Sequence, residues 1–541
     1  MTPVRIAGIR IPAAWALALV VIAAPRGSPA QATDAAAKAV ASWIVVDAPP
    51  GSEGRAATNK LLAGWTVDAW GNYSKRAGSG RPRRVVACAL DQSGYVVSQI
   101  TDEGYLRLRR AGQGIPHQLW DQFHEALRVR VLTKNGVVKA TTAVASGHFA
   151  AQHRGDSLAA TVDQLWVDVG ASTRADAERL GISLLDPVLY DRPAWTFEGF
   201  ATGPNAGARA GCAAVASAAK GTPRTGETIF VLSTQRIFGW VGLGAFLSQL
   251  GPVDLVAVFD EGRSTPYSNR APPTGGRGQQ PLRGVIQGAR ADSVRATAPL
   301  VRWPGTLVES IHASEALKLL DAAASAADVS LTGDPWVSIP LDTARVLAAR
   351  ADAFGAIEKQ FLALADLPGA PGSEWRVREA IMAALPKWAK DIATVDSAGN
   401  LIVVAGPDRN PEAIIAHMDE VGFEVERILA DGRVALRAVG GGVATAWEGR
   451  PAYLHFNKGI DGRAAESLRG VYVPRDSARL RAPGQLTAWF GMDSAALVAR
   501  GARIGLPVLA YKRGERLGGA RVVARSNDDR SGSTALLFAV Q

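Results

Sequence analysis

Ile414-Ile415-Ala416-His417-Met418-Asp419-Glu420-Val421-Gly422-Phe423 decides the reading of this chain. Ala413 to Ala416 is a short apolar run that reads as a buried strand. That strand would deliver His417 at its end, with Asp419 two residues on and on the same face. There Asp419 can accept the proton of one ring nitrogen and leave the other to a metal. A second station follows in Ser526-Asn527-Asp528-Asp529-Arg530-Ser531-Gly532. A carboxylate where a loop enters a helix meets open backbone N–H groups and stays ionised, so Asp528 is placed to bridge two cations. Arg530 is expected to neutralise Asp529 or to orient the loop. Alone, a His-x-Asp is usually a surface pair and an Asp-Asp-Arg a solvated turn. Their order and flanks give them weight.

Outward from these stations the pattern is α/β. Gly372 to Ala384 reads as a helix with Ser373 as cap and Val377, Ile381 and Leu385 on one face. Leu401 to Val404 reads as a second buried strand. Phe423 to Ile428 alternates as a strand with one wet face does. Gly440-Gly441-Gly442 marks a break, and residues 445–485 have strand-and-turn character. Asp493-Ser494 is a cap for a helix through Val498. Ser533 to Val540 reads helical, as does Cys212 to Ala219.

The chain repeats itself at long period. Pro50-Gly51-Ser52-Glu53 recurs as Pro371-Gly372-Ser373-Glu374. Thr66-Val67-Asp68-Ala69-Trp70-Gly71-Asn72 recurs from Thr394 to Asn400, and the offset holds at 328 to Arg109 and Arg437. Pro187-Val188 meets Pro507-Val508, and Arg209-Ala210-Gly211 meets Arg530-Ser531-Gly532, at offsets of 320 and 321. One gap explains the drift. The expected organisation is a signal segment at 1–30, a first copy at 35–341 with a β insertion near 113–163, and a second copy at 343–541 with its insertion near 443–487.

Composition bounds the class. The 541 residues are 47% hydrophobic and 20% charged, ordinary for globular domains. Arg5 and Arg10 precede an apolar run from Ile11 to Ala24, too short to span a bilayer comfortably, and Ser28-Pro29-Ala30 offers a cleavage site before Gln31. A secreted or periplasmic protein is expected, with no membrane segment after cleavage; the alternative is an uncleaved anchor. Removing Arg5, Arg10 and Arg26 takes three charges from the formal +10. The remainder is dispersed, without the basic stripe of a nucleic-acid module. Cys88 and Cys212 are the two cysteines. Export permits one bridge, but their apolar surroundings favour buried thiols.

The second copy resembles the glutamyl, or tetrahedral, aminopeptidase family of co-catalytic zinc exopeptidases. The resemblance rests on Pro371-Gly372-Ser373-Glu374, Asp396-Ser397-Ala398-Gly399-Asn400, His417 through Phe423, Gly440-Gly441 and Asp528-Asp529-Arg530, all in order. It covers residues 350–541 and, more weakly, 38–330. It implies a mixed central sheet flanked by helices, with a small β-barrel inserted in each copy. It implies His417 and Asp528 as ligands of a pair of Zn2+ ions, with Asp419 as the supporting catalytic acid. The family continues with a Gln-Glu-Glu-Val-Gly motif carrying the general base, then a further Asp and His. The second copy shows none of these before Gln541, so the sequence reads as a fragment of a longer gene.

The first copy has the later segment but has lost the chemistry. Ala89 stands for His417, and Gly207 for Asp528. Arg236 and Ile237 replace both glutamates, while Asp260 and His312 survive. His117, His124, His148, His153 and His455 show no ligand spacing and read as surface or structural. The expectation is a secreted zinc aminopeptidase acting on peptides, with a dead first copy and a possible homo-oligomeric state. The alternative is an inactive exopeptidase-fold binding or assembly protein.

Overall fold

In a computed structural model the described residues are 29–49, 64–112, 116–143, 160–191, 194–264, 290–339, 346–347, 355–406, 412–441, 444–456, 467–475, 484–519 and 521–541. The expected signal segment lies outside them, except that Pro29 and Ala30 begin a helix, Pro29–Ile44.

In the first copy six strands form a sheet in the order Thr66–Val67, Tyr73–Gly78, Glu227–Ser233, Arg83–Ala89, Val253–Phe259, Ala291–Thr297. Its three central strands pair in parallel and are almost continuously apolar, as strands covered on both faces must be. Alternation divides their side chains. Val86, Cys88, Phe230, Leu232 and Phe259 meet Pro29–Ile44, Ala206–Ala218 and Ala313–Ala327 on one face. Val85, Ala87, Ile229, Val231 and Val258 meet the Val241–Leu250 helix on the other. Cys88 and Cys212 form a disulfide that ties the central strand to the Ala206–Ala218 helix, which corrects the expectation of two buried thiols. The apolar surroundings were read rightly, but they bring the two sulfurs together.

The duplication is visible in the backbone. Gly422–Ile428, Arg433–Val439, Thr487–Trp489, Ser467–Tyr472, Pro451–His455 and Pro507–Ala510 close a barrel in that order. The first copy arranges Tyr95–Ile100, Leu106–Arg110, Trp166–Asp168, Gly136–Ala143, Arg128–Thr133 and Pro187–Tyr190 in the same ring. The register repeats: Tyr95 faces Val188, and Phe423 faces Val508. A bulge falls between Val97 and Gln99 and again between Val425 and Arg427. Thr173 and Asp493 cap equivalent helices with their side chains. Both barrels draw strands from either side of the stretches named as insertions.

The sheet of the second copy differs. Thr394–Val395 and Leu401–Ile402 pair as a short hairpin, but Ile402 and Val404 are exposed, so Leu401 to Val404 is not the buried strand expected. The helix at Trp375–Ala384 begins later than expected, with Glu374 rather than Ser373 at its cap position. Residues 412–421 form no strand, and Ile414 and Ile415 are 77% and 88% exposed. A buried strand needs neighbours for its backbone groups and cover for its side chains. In the first copy those neighbours are Glu227–Ser233 and Val253–Phe259, and no described strand fills their places beside Ile414 and Ile415.

The two copies are joined through their barrels. Gly518 and Gly519 donate to the carbonyls of Lys139 and Val169, at 2.9 and 2.7 Å. A Cβ on Gly519 would lie 2.1 Å from the Gly170 oxygen, so only glycine allows this approach. Arg521 meets Asp168 at 2.8 Å, and Glu515 meets Lys139 at 2.7 Å. Trp489 packs among Phe197, Phe200 and Trp303.

The disulfide closes a loop of 124 residues in sequence, so it removes much entropy from the unfolded chain. Cys88→Ala with Cys212→Ala is expected to lose about 2–5 kcal/mol. Urea unfolding of the oxidised, reduced and doubly substituted proteins checks this; equal midpoints would contradict it.

Candidate metal centre

The structure brings the three singled-out side chains together. His417 Nε2 lies 2.9 Å from Asp528 Oδ1, and His417 Nδ1 lies 2.9 Å from Asp419 Oδ1. The Ser533 hydroxyl donates to the His417 carbonyl at 3.2 Å, anchoring the segment to the Asn527–Val540 helix. Burial acts to lower the pKa of His417. The hydrogen bond to Asp528 and the charges of Asp419 and Asp528 outweigh it, so the imidazole is held above its ordinary 6.5.

Two details at Asp528-Asp529-Arg530 differ from expectation. Asp529, not Asp528, meets the open helix N–H groups, accepting from Gly532 N at 2.9 Å. Asp528 is left 95% exposed and turned to His417. Arg530 does not serve Asp529. It is buried, 4.0 Å from Glu420. The carboxylate of Asp529 is satisfied by backbone, so the guanidinium is released to face the buried acid. The first copy repeats this, with Arg209 donating to Gln92 at 3.0 Å.

Sequence reasoning missed the support beneath His417. Glu420 is buried and accepts from Lys512 Nζ at 2.6 Å, Ser526 Oγ at 2.7 Å and Gly369 N at 2.9 Å. These bonds fix the residue after Asp419 to the loop before Asp528. Burial, the larger effect, pulls Lys512 down to about 8. Glu420 lay inside the quoted motif, but Lys512, next to Arg513, belongs to no motif and carries no sequence signal.

The first copy presents the same place without the donors. Ala89 is buried, and a Cβ on Gly207 would lie 2.7 Å from Gly262 backbone atoms, leaving no room for a carboxylate. Asp91, the counterpart of Asp419, accepts from the backbone of Arg236 and Ile237 at 3.1 and 2.9 Å. Arg236 reaches Asp260 at 3.0 Å and Glu261 at 2.5 Å. Burial pushes Glu261 and Asp91 upward, and Arg236 offsets part of this. The guanidinium supplies the positive charge that gathered carboxylates require. His312 accepts from Ser314 N at 3.2 Å as the cap of its own helix and shares no described contact with Asp260. His124 and His455 are buried and structural, pushed by burial to about 4 and about 3. His117 accepts from Leu119 N at 3.1 Å, and His148 and His153 lie outside the described residues.

His417 and Asp528 line a cavity of about 730 Å3 between the copies. Glu125, Arg128, Tyr190 and Asp191 of the first barrel form one wall, and Trp447, Arg450, Tyr511 and Arg525 of the second form the other.

The M42 glutamyl aminopeptidase family model matches residues 71–268 and 399–541, one segment in each copy and together well over half of the chain. The chain belongs to that family. The chain is 31% identical over 203 residues to the putative aminopeptidase SgcX of Escherichia coli, covering 36% of this chain and 52% of that protein. It is 29% identical over 118 residues to the lysyl aminopeptidase of Pyrococcus furiosus, covering 22% and 33%. The chain thus spans about half the length of the first and a third of the second. Among solved structures, the PhTET1-12s dodecamer matches at 18% identity and a TM-score of 0.43, over 54% of this chain and 98% of that one.

The donors of this M42 chain suit a divalent metal in kind: one imidazole nitrogen, backed by a carboxylate, beside an exposed carboxylate. In number they fall short of a metal pair. Among the described residues no group of three or more His, Cys, Asp or Glu converges as a metal site.

Two measurements check these electrostatics. In a labelled-imidazole NMR titration without metal, His417 is expected to titrate above 6.5, and Asp528→Asn to bring it down; an unmoved midpoint would contradict the pairing. Arg236→Met strands Asp260 and Glu261 and is expected to cost about 3–5 kcal/mol. Acids held with raised pKa values lose stability as they ionise, so this loss should grow as pH rises through the carboxylate range. Urea midpoints at pH 5 and pH 8 that are unchanged, or that trend the opposite way, would refute it.

Proposed function

We propose that this protein is a secreted, zinc-dependent aminopeptidase that releases N-terminal residues from peptides, with the reaction carried by the second copy. The carrying observation is the meeting of His417, Asp419 and Asp528 at the cavity wall in a chain of the M42 family. Asp419 takes the Nδ1 proton and leaves Nε2 as the donor atom on the side of Asp528. Glu420, locked to Lys512 and Ser526, holds the spacing of the two segments. A bound zinc pair would supply Lewis acidity and an activated water. This reading requires further ligands and a general base beyond the donors that converge among the described residues. The first copy serves as scaffold, its charges balanced by Arg236 in place of a metal.

A second reading, an inactive exopeptidase-fold binding or assembly protein, is favoured by the small number of converging donors among the described residues. One experiment separates the two. The full-length gene product is assayed for zinc content and for release of N-terminal residues, beside His417→Ala. The aminopeptidase reading expects bound zinc and turnover, with at least a hundredfold loss in the variant, in line with removal of a metal ligand. No turnover in either protein would support the binding module, and turnover unaffected by the substitution would contradict the assignment of the reaction to His417.

A further inference from the structure

The cavity between the copies holds positive charge that the metal chemistry does not use. Arg450 is 3% exposed and lines this cavity. One of its terminal nitrogens donates to the Glu125 carbonyl of the first copy, and its buried Nε has no partner among the described residues. Arg525 also lines the cavity, with its guanidinium carbon 4.3 Å from the centroid of the Trp447 ring. Stacking covers one face of a guanidinium and leaves its N–H edge for a ligand.

The acids near these cations offset them only in part. Glu420 is committed to Lys512, Ser526 and Gly369 and has Arg530 beside it. Glu125 faces Arg450 from the first copy. Arg450 and Arg525 repel one another, and burial together with this repulsion pushes Arg450 down to about 9. A buried guanidinium and a half-buried one at such a place stabilise a bound anion, and a planar carboxylate matches their donors.

We propose that Arg525 and Arg450 form a carboxylate-binding subsite for the peptide that enters this cavity, and that the first copy holds the subsite in place. The proposal rests on the aminopeptidase reading for the nature of the ligand. Arg525 precedes Asp528 by three residues and borders the same space, so a peptide at His417 and Asp528 passes the guanidinium pair. The first copy fixes the Arg450 loop at three points. Besides the Glu125 carbonyl, Gln122 donates to the Thr445 carbonyl at 2.9 Å. Gly449, at φ +67°, lies so close to Phe123 that a Cβ would come within 2.7 Å of its ring. A degenerate copy retained for this purpose contributes positioning rather than chemistry. The bound carboxylate comes either from an acidic N-terminal side chain or from the C-terminus of a short peptide.

Calorimetry on the full-length protein tests the proposal with four dipeptides whose first amide is reduced to CH2–NH, so that none is hydrolysed. They are Glu-Ala amide, Gln-Ala amide, Ala-Ala with a free carboxylate, and Ala-Ala amide. One carboxylate peptide is expected to bind roughly tenfold to a hundredfold tighter than its amide counterpart, as a charge-assisted pair provides; which one does so identifies the source. Arg525→Gln is expected to abolish this preference. Equal binding of all four by the unsubstituted protein overturns the proposal without reference to any variant, and a preference surviving in Arg525→Gln overturns it as well. If the preference is present but the unmodified peptides are not hydrolysed, the aminopeptidase reading fails and the subsite stands.

Discussion

Gathered carboxylates need a cation, and both halves of this molecule are organised by that need. In the second copy, Asp419 and Asp528 close on the two nitrogens of His417 from segments more than a hundred residues apart. In the first, Asp91, Asp260 and Glu261 close on Arg236 and its backbone. An arginine is a permanent cation that cannot be exchanged. An imidazole can give up its proton to a metal. The difference between scaffold and candidate active centre thus comes down to which cation each copy brings to the same place in the fold.

The shared framework explains how one copy could lose its donors without losing its structure. Arg209 and Arg530, both fully buried, face Gln92 and Glu420 at equivalent positions. Asn205 and Ser526 both open their helices from the left-handed region, at φ +58° and +68°. These features set the path of the chain and make no demand for a metal. Gly207 shows how the loss was fixed, because Gly262 now fills the space a side chain would need.

Much of this was legible in the sequence. The constant offset of 328 is matched by a shared strand register, down to the bulge, because barrel pairing depends on local alternation that both copies keep. Asp493 was readable as a cap from its own neighbours. The His417 strand was misread because burial depends on partners that local sequence does not contain. The disulfide was misread as two buried thiols because cysteines 124 residues apart give no geometric sign of their approach. Arg450, Arg525 and Lys512 were missed because no motif marks them, and their approach arises only from the fold of the second copy.

The account depends on metal being held at His417 and Asp528 and excluded beside Arg236. Anomalous scattering from zinc-soaked crystals of the full-length protein locates it directly. A peak at the His417 Nε2 and Asp528 side chains, with none between Asp91 and Asp260, is the predicted result. A peak at the Arg236 cluster, or none at His417, would contradict it.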